Sequence, residues 1–517
     1  MAEASPRSAS LPALLFAVMA ALYVVWAALF IAASSVQTNE GRYFCLFDDA
    51  MVSLRYAWNL AHGDGLVWNS GERVEGTTCF LFTLYMSLGA LFLGKSAAAL
   101  FVQISGIPLV LGAAFMACRL TRSLGTTPSL GLITAAGVLV YYPLSYWSLM
   151  GMETGFVTAL ALAALSQAMR LGSDSRGSKL LGVLLGLMFA TRPDAAFPAA
   201  AILAFRATWI LHAHRRLRAL QPWLVELAPF IAILVGLTLF RVAYYGSPLP
   251  NTYDLKMGGW PLGPRLENGW KFVRPFWDRS RYLILLALCS VAFRRDARRL
   301  LLSCFAVCVI AAQIWVGGDA WTHWRLLAPG VVALIVLALD GVGAVLRLLV
   351  KPERRWLVLG VSLACTAGAL WTADQPFMSE LRLQIPPYRF YLNRRSVKTG
   401  LELSRYATPE ASVAVMAAGT VPYYSGLRGV DVLGKSDRHI ARLPPRGVGK
   451  TITPGHNKYD LHYSIETLRP DVIYDGLAWA RDEPAILTFV ERNYVAAGSF
   501  WFRRDSPNVH WNVLPSR

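Results

Sequence analysis

Two adjacent carboxylates, Asp48 and Asp49, stand just beyond the first long apolar run of the chain. Ionisable groups kept at the edge of a membrane-like segment usually face a cavity and have chemistry to do. Neighbouring acids suit proton transfer, because each raises the pKa of the other above the unperturbed value of about 3.9 and so makes one of them a better base. Asp48 also suits a helix N-cap, where its carboxylate accepts orphan backbone N–H groups; one acid can cap while the other points into a site. After them Met51, Leu54, Trp58 and Ala61 recur at helical spacing, so 49–62 reads as a short amphipathic helix lying at an interface.

Other polar residues break the apolar pattern in small clusters. Glu153, within GMETG, opens a helix, where a carboxylate offsets the macrodipole. Arg192 and Asp194 flank Pro193, which reads as a kinked turn held by an ion pair, with a guanidinium suited to phosphate. Two prolines stiffen the stretch 244–256, which brings together the amide of Asn251, the phenol of Tyr253 and the ammonium of Lys256, a set that fits a sugar phosphate. In 317–325, Trp321 and Trp324 offer faces for a sugar ring, while His323 and Arg325 offer charge to an anionic head group. An interfacial aromatic belt with a snorkelling arginine has the same composition. Glu75 suits either a sugar hydroxyl or an ion pair with Arg73.

The elements that must hold these groups are membrane helices. The 517 residues are 55% hydrophobic and only 16% charged, with a mean hydropathy of +0.42, which places the chain among polytopic membrane proteins. A crossing needs roughly 20 apolar residues. Clean candidates are 11–34, 128–148, 153–171, 223–245, 327–350 and 355–372; less clean ones are 79–118, 178–191, 194–211, 281–293 and 299–316, giving about eleven transmembrane helices. The first run is longer than a signal-peptide core and only Arg7 precedes it, so it reads as an uncleaved anchor.

A net charge of +18 does not point to nucleic acid, since the basic residues gather at span ends (215–218, 294–299, 351–355) as cytoplasmic loops require. Placing those loops inside puts all the polar clusters, and the tail, on the opposite face. It also requires 79–118 to cross once, with part of it embedded. A transporter would instead set its ionisable residues near the midplane, in two related halves; no internal repeat is visible. Seven cysteines show no metal-ligand spacing, and Cys45 and Cys79 bracket the first loop, where an oxidising exterior would let them pair. In the tail, 414–418, 430–433 and 470–474 read as buried strands between helices, an α/β domain.

In combination, FDDAMVSLRYAWNLAHGDGLVWNSGERVEG, GMETG, TRPDA, YYGSPLPNTYDLK and GGDAWTHWRLLAP, with GKSDRHIA and GHNK in the tail, resemble the bacterial GT-C glycosyltransferases, above all the cell-wall and pilin arabinofuranosyltransferases. The resemblance covers essentially the whole chain. It implies a transmembrane GT-C catalytic domain over 1–372 with an extracytoplasmic loop at 35–78, and a periplasmic domain over 373–517 that holds the glycan acceptor, with Trp479, Trp501 and Trp511 available for stacking. The implied reaction moves arabinofuranose from decaprenyl-phosphoryl-arabinose to arabinan, or to a glycoprotein such as pilin, at the outer face of the plasma membrane. Asp48 or Asp49 is then catalytic. Arg192, Asp194, Asn251, Tyr253, Lys256, His323, Arg325, Glu153 and Glu75 surround the donor's phosphate and sugar. Related GT-C enzymes differ in metal use, so a divalent ion stays open, although no His/Cys cluster asks for one. The rivals are a mannosyl- or aminoarabinosyl-transferring relative and a non-enzymatic scaffold or transporter. The last would need charges deep in the spans, and few are present.

Overall fold

The computed structural model describes residues 11–172, 177–351, 354–447, 452–475, 477, 480 and 483–514. The apolar anchor forms α1 (Leu11–Ser34). A two-stranded hairpin, β1 (Val36–Thr38) and β2 (Gly41–Tyr43), leads into α2 (Asp48–Ala61). Then come α3 (Phe80–Phe92) and α4 (Lys95–Ser123). With 13 residues α3 is about 20 Å long at 1.5 Å per residue, shorter than a full crossing, whereas the 29 residues of α4 are ample. The stretch 79–118 thus holds one short apolar helix and one helix long enough to cross.

The bundle continues through α5 (Pro128–Val140) and α6 (Tyr142–Leu149), bent by 54° at Tyr141, and then α7 (Thr154–Leu171), α8 (Lys179–Thr191), α9 (Ala196–His214) and α10 (Gln221–Tyr245). The short α11 (Asn251–Met257) precedes α12 (Leu262–Phe293), α13 (Ala297–Val316), α14 (Ala328–Leu349) and α15 (Arg355–Asp374). Among the described residues eight helices are long and apolar enough to span a membrane, or nine with the bent pair counted as one. The other two expected crossings are α8, which is short, and the apolar end of α12, whose first half is polar. Near the centre, α14 is buried along most of its length, and Gly341 lets α12 approach so closely that a Cβ there would lie 2.2 Å from the Leu286 carbonyl oxygen. Two pairs of opposite charges lie inside the bundle, Arg206 with Glu226 at 2.7 Å and Arg299 with Asp340 at 2.7 Å, the latter also accepting from Ser290, while the buried Asp374 accepts from the Tyr142 N–H. Pairing removes the cost of leaving a buried charge uncompensated.

After α16 (Met378–Leu381), α17 (Phe390–Tyr406) opens the tail. Its sheet has the order β4-β3-β5-β7-β6, built from β3 (Ser412–Val415), β4 (Arg428–Asp431), β5 (Val472–Ile473), β6 (Tyr494–Ala497) and β7 (Phe500–Arg503). The pairs β3–β4 and β3–β5 are parallel, and β7 runs antiparallel to β5 and β6. Helices α18 (Thr420–Ser425), α19 (Arg438–Arg442) and α20 (Pro484–Asn493) complete an α/β unit. Trp479 lies outside the described residues, Trp501 is on β7, and Trp511 is exposed.

Here α2 departs from the sequence expectation. Residues 50–57 are buried on every side rather than half-exposed at an interface, because the tail covers the face that looks polar. The buried Arg55 explains the fit: its guanidinium donates to the carbonyls of Trp68 (2.6 Å), Leu427 (2.8 Å) and Pro422, and to Asn69 (3.1 Å). Cys45 and Cys79 are both free; Cys45 faces Thr420, while Cys79 lies against Ser53 and Thr77. Burial pushes the Cys45 thiol up to about 12.

Candidate active site

The start of α2 aims its two acids in different directions. The N-cap is Phe47, whose N–H bonds the Met150 carbonyl, so Asp48 does not cap its own helix. It caps α18 instead, accepting from the Gly419 N–H (3.2 Å), the Thr420 N–H (2.9 Å) and the Thr420 hydroxyl (3.1 Å). Only glycine fits at 419, since a Cβ would sit 2.1 Å from the Asp48 carbonyl oxygen. Burial lifts the Asp48 carboxyl above its ordinary range, against the pull of Lys435 and the Thr420 N–H. Asp48 thus joins the first loop to the tail.

Asp49 faces a cluster of cations. It accepts from the Lys435 ammonium, the Trp321 indole N–H (2.9 Å) and the Arg325 guanidinium (3.4 Å). Burial works against its charge, but Lys435, Arg325 and Lys256 outweigh it and hold the carboxyl well below the ordinary range. Arg325 also grips Asp319 at 2.6 and 2.9 Å and lies over the Trp147 ring, 5.3 Å from its centroid. Arg192 donates twice to Asp194, at 2.8 and 3.0 Å, and pairs with Glu153. Burial disfavours both guanidinium charges, yet their acids more than restore them. The Lys256 ammonium is pulled down by burial, against Asp319 and Asp49.

Lys435 reaches the site on a loop that two side chains hold in place. The Asn251 amide donates to the carbonyls of Gly434 (2.9 Å), Lys435 (2.9 Å) and Asp437 (3.1 Å). Asp431 accepts from the N–H groups of Leu433, Gly434 and Ser436 at 3.1, 3.0 and 2.7 Å. Asn251 therefore positions the site without entering it.

These groups enclose a tight polar cavity of about 40 Å³ walled by Asp49, Glu153, Arg192, Lys256, Arg325 and Lys435, with Ser53, Thr77 and Thr252 between them. Beside it lies a narrow apolar slot of about 40 Å³ between α7, α8, α13 and α14, lined by Val157, Ala161, Met188, Phe305, Val309 and Ala312. Arg192 and Arg325 belong to both, so the slot ends on two guanidinium groups. Among the described residues, no group of three or more His, Cys, Asp or Glu is placed to hold a metal ion.

Besides Asp48 and Asn251, three more expected site residues lie outside the cavity. Glu75 does not pair with Arg73: its carboxylate takes the Arg241 guanidinium at 2.9 and 3.1 Å, both groups buried, and Arg73 lies over the Tyr244 ring. Tyr253 is 45% exposed, on the outward side of α11. His323 is stacked on Phe377 (4.1 Å between centroids), with Glu380 3.5 Å from Nε2. Its left-handed backbone (φ 66°), followed by Trp324 (φ 39°), turns the chain so that its carbonyl accepts the Trp147 indole N–H, fixing the ring beneath Arg325. Conversely, Lys435 was not singled out by sequence; the only signal was its place in GKSDRHIA.

The whole architecture is similar to the crystal structure of ArnT from Cupriavidus metallidurans bound to undecaprenyl phosphate, with a TM-score of 0.55 over 95% of this chain and 98% of that one, at 12% identity. The chain has the GT-C fold. An Archaeoglobus fulgidus oligosaccharyltransferase in its apo form is a further structural neighbour, with a TM-score of 0.50 at 13% identity over 81% of this chain and 64% of that one. In sequence, the chain is similar to two proteins named arabinofuranosyltransferases. It is 28% identical over 390 residues to a terminal beta-(1->2)-arabinofuranosyltransferase of Mycobacterium tuberculosis, covering 64% of this chain. It is 25% identical over 275 residues to the protein of that name in Corynebacterium glutamicum, covering 47% of this chain. The chain spans 59% and 37% of the lengths of these two relatives. Residues 386–513 match a domain of unknown function, DUF8728.

Proposed function

We propose that this multi-pass membrane protein transfers an arabinofuranosyl residue from a polyprenyl phosphate to a hydroxyl of a cell-envelope glycan, on the face of the membrane opposite its basic loops. One observation carries the reading: an apolar slot and an acid- and base-lined cavity meet at Arg192 and Arg325. A lipid phosphate needs that junction, since its tail must stay in an apolar environment while its phosphate finds paired cations. The relatives named arabinofuranosyltransferases favour a pentofuranose as the sugar.

Charge accounting gives Asp49 the role of base. Four cations, Arg192, Lys256, Arg325 and Lys435, converge with four acids, Asp49, Glu153, Asp194 and Asp319. A sugar phosphodiester brings one negative charge. In transfer, the anomeric carbon–phosphate oxygen bond breaks, the acceptor oxygen bonds to the anomeric carbon, and the acceptor proton passes to Asp49. The phosphate gains the charge that Asp49 loses, so the site's total is unchanged. Lys435 and Arg325, which hold Asp49 before the donor arrives, thus move toward the phosphate as its charge grows, as preorganised cations do for a leaving group. Their departure raises the basicity of Asp49 at the stage where a base is needed. Until then its carboxylate also favours the oxocarbenium-like character of the reacting sugar. Glu153 and Asp194 orient Arg192, and Asp319 orients Arg325.

Reconstituted protein supplied in parallel with synthetic polyprenyl-phosphoryl arabinofuranose, mannose and aminoarabinose, together with an arabinan oligosaccharide, tests the reading. Transfer of arabinofuranose alone is the expected result. Preferential transfer of either other sugar overturns the donor assignment, and retention of every label on lipid overturns the activity.

A further inference from the structure

A second opening lies on the far side of the Lys435 loop. It is a groove of about 420 Å³ between the first loop and the tail, bordered by Asn69, Glu72 and Val74 on one side and by β4 and 436–439 on the other. A thin wall separates it from the donor cavity: Val74 and Ser436 face the groove, while Gly76 and Lys435 line the cavity. The Tyr56 hydroxyl pins this wall, donating to the Val74 carbonyl (2.6 Å), accepting from the Gly76 N–H (2.7 Å) and lying 3.3 Å from Ser436 Oγ. The wall is close enough that a Cβ at 76 would sit 2.8 Å from the Lys435 carbonyl oxygen, which favours glycine there.

The charge of the groove opposes that of the chain. Four carboxylates line it (Glu72, Glu410, Asp431, Asp437) against two guanidinium groups (Arg428, Arg438), in a protein of net charge +18. An anionic polymer is therefore disfavoured there. One wall presents the half-exposed His439 ring packed on Tyr463, centroids 4.2 Å apart. Glu72 pairs with Arg428 and accepts from Asn69, so this carboxylate is held in place as a hydrogen-bonding group of the groove. Hydrogen-bonding groups beside an aromatic surface, in a groove whose excess of carboxylates repels anions, suit a neutral polyhydroxyl chain.

We propose that this groove binds the non-reacting sugars of the acceptor glycan, leading its growing end over the Gly76–Ser436 wall to Asp49. The inference rests on the transferase reading and adds an acceptor site made by first loop and tail together, away from Trp501 and Trp511. It predicts that longer acceptors bind better, and that the gain resides at exposed residues distant from the donor.

The test uses the full-length protein in nanodiscs with an arabinofuranose disaccharide and hexasaccharide as probes. Calorimetry without donor reads binding directly, so its outcome is independent of turnover. The wild type should bind the hexasaccharide at least tenfold more tightly than the disaccharide, and His439→Ala combined with Glu72→Gln should abolish that difference. In transfer assays, the hexasaccharide KM of the variant should rise to that of the disaccharide. Length-independent binding, a double variant with undiminished hexasaccharide affinity, or tighter binding of a sulfated hexasaccharide would each overturn the groove assignment. A wild type that binds in the groove but transfers no pentose overturns the transferase reading alone.

Discussion

Replacing Asp49 with Asn should move two kinetic constants in the same downward direction, an unusual signature for an active-site variant. The substitution keeps the shape of the side chain and its bond from the Trp321 indole, but removes the base and one negative charge. Loss of a positioned general base lowers kcat by about 10²–10⁴-fold. Donor binding should improve, because Asp49 and the incoming phosphate compete for Lys435 and Arg325. Two like charges about 6 Å apart at an effective dielectric of about 20 repel by about 3 kcal/mol. Relief of that repulsion lowers the donor KM by up to about 100-fold. Initial rates with lipid-linked donor in liposomes, alongside a thermal-unfolding check of the variant, measure both. A donor KM that rises while kcat persists would assign Asp49 to binding and refute the charge transfer described above.

Asp48→Ala strips three hydrogen bonds from the start of α18 and should lower stability by about 2–4 kcal/mol, read as a fall in the unfolding midpoint, with kcat of the folded fraction retained. The acid limbs of the two pH profiles should separate. The kcat/KM limb reports the empty site, where Lys435, Arg325 and Lys256 hold Asp49 ionised below the ordinary carboxylate range; the kcat limb, reporting the donor complex, should lie at higher pH because the phosphate has drawn the cations away. Coincident limbs would contradict the handover of cations. Arg241→Met leaves Glu75 buried and uncompensated and should cost about 3–5 kcal/mol in thermal or denaturant unfolding, much of it recovered in the Glu75→Leu/Arg241→Met double variant; a change in kcat without loss of stability would return Glu75 to the site.

The bundle was legible because bilayer spans announce themselves by local composition, and the basic loops fixed which polar clusters share a face. Contacts such as Asp49–Arg325 and the common cavity of Arg192 and Lys256 follow from that one sorting. Reading the divided roles of Asp48 and Asp49 required the tail. The N–H groups that Asp48 accepts lie 371 and 372 residues further on, and two of the carbonyls that bury Arg55 lie 367 and 372 residues from it, so α2 looked amphipathic while its polar side was an interface. His323 misled because a histidine among tryptophans suits ligand binding and aromatic packing equally; the left-handed turn that buries it has no signature in side-chain type. Lys435 had no local pattern to mark it, as its importance comes from Asn251 and Asp431 folding the loop inward.

A cryo-electron microscopy structure with a polyprenyl phosphate bound would bear most directly on the junction of slot and cavity. The account predicts the isoprenoid tail beside Val309 and Phe305, the phosphate within hydrogen-bond reach of Arg192 and Arg325, and Lys435 drawn away from Asp49. A tail lodged elsewhere in the bundle, or a bound phosphate with Lys435 and Arg325 still on Asp49, would contradict it.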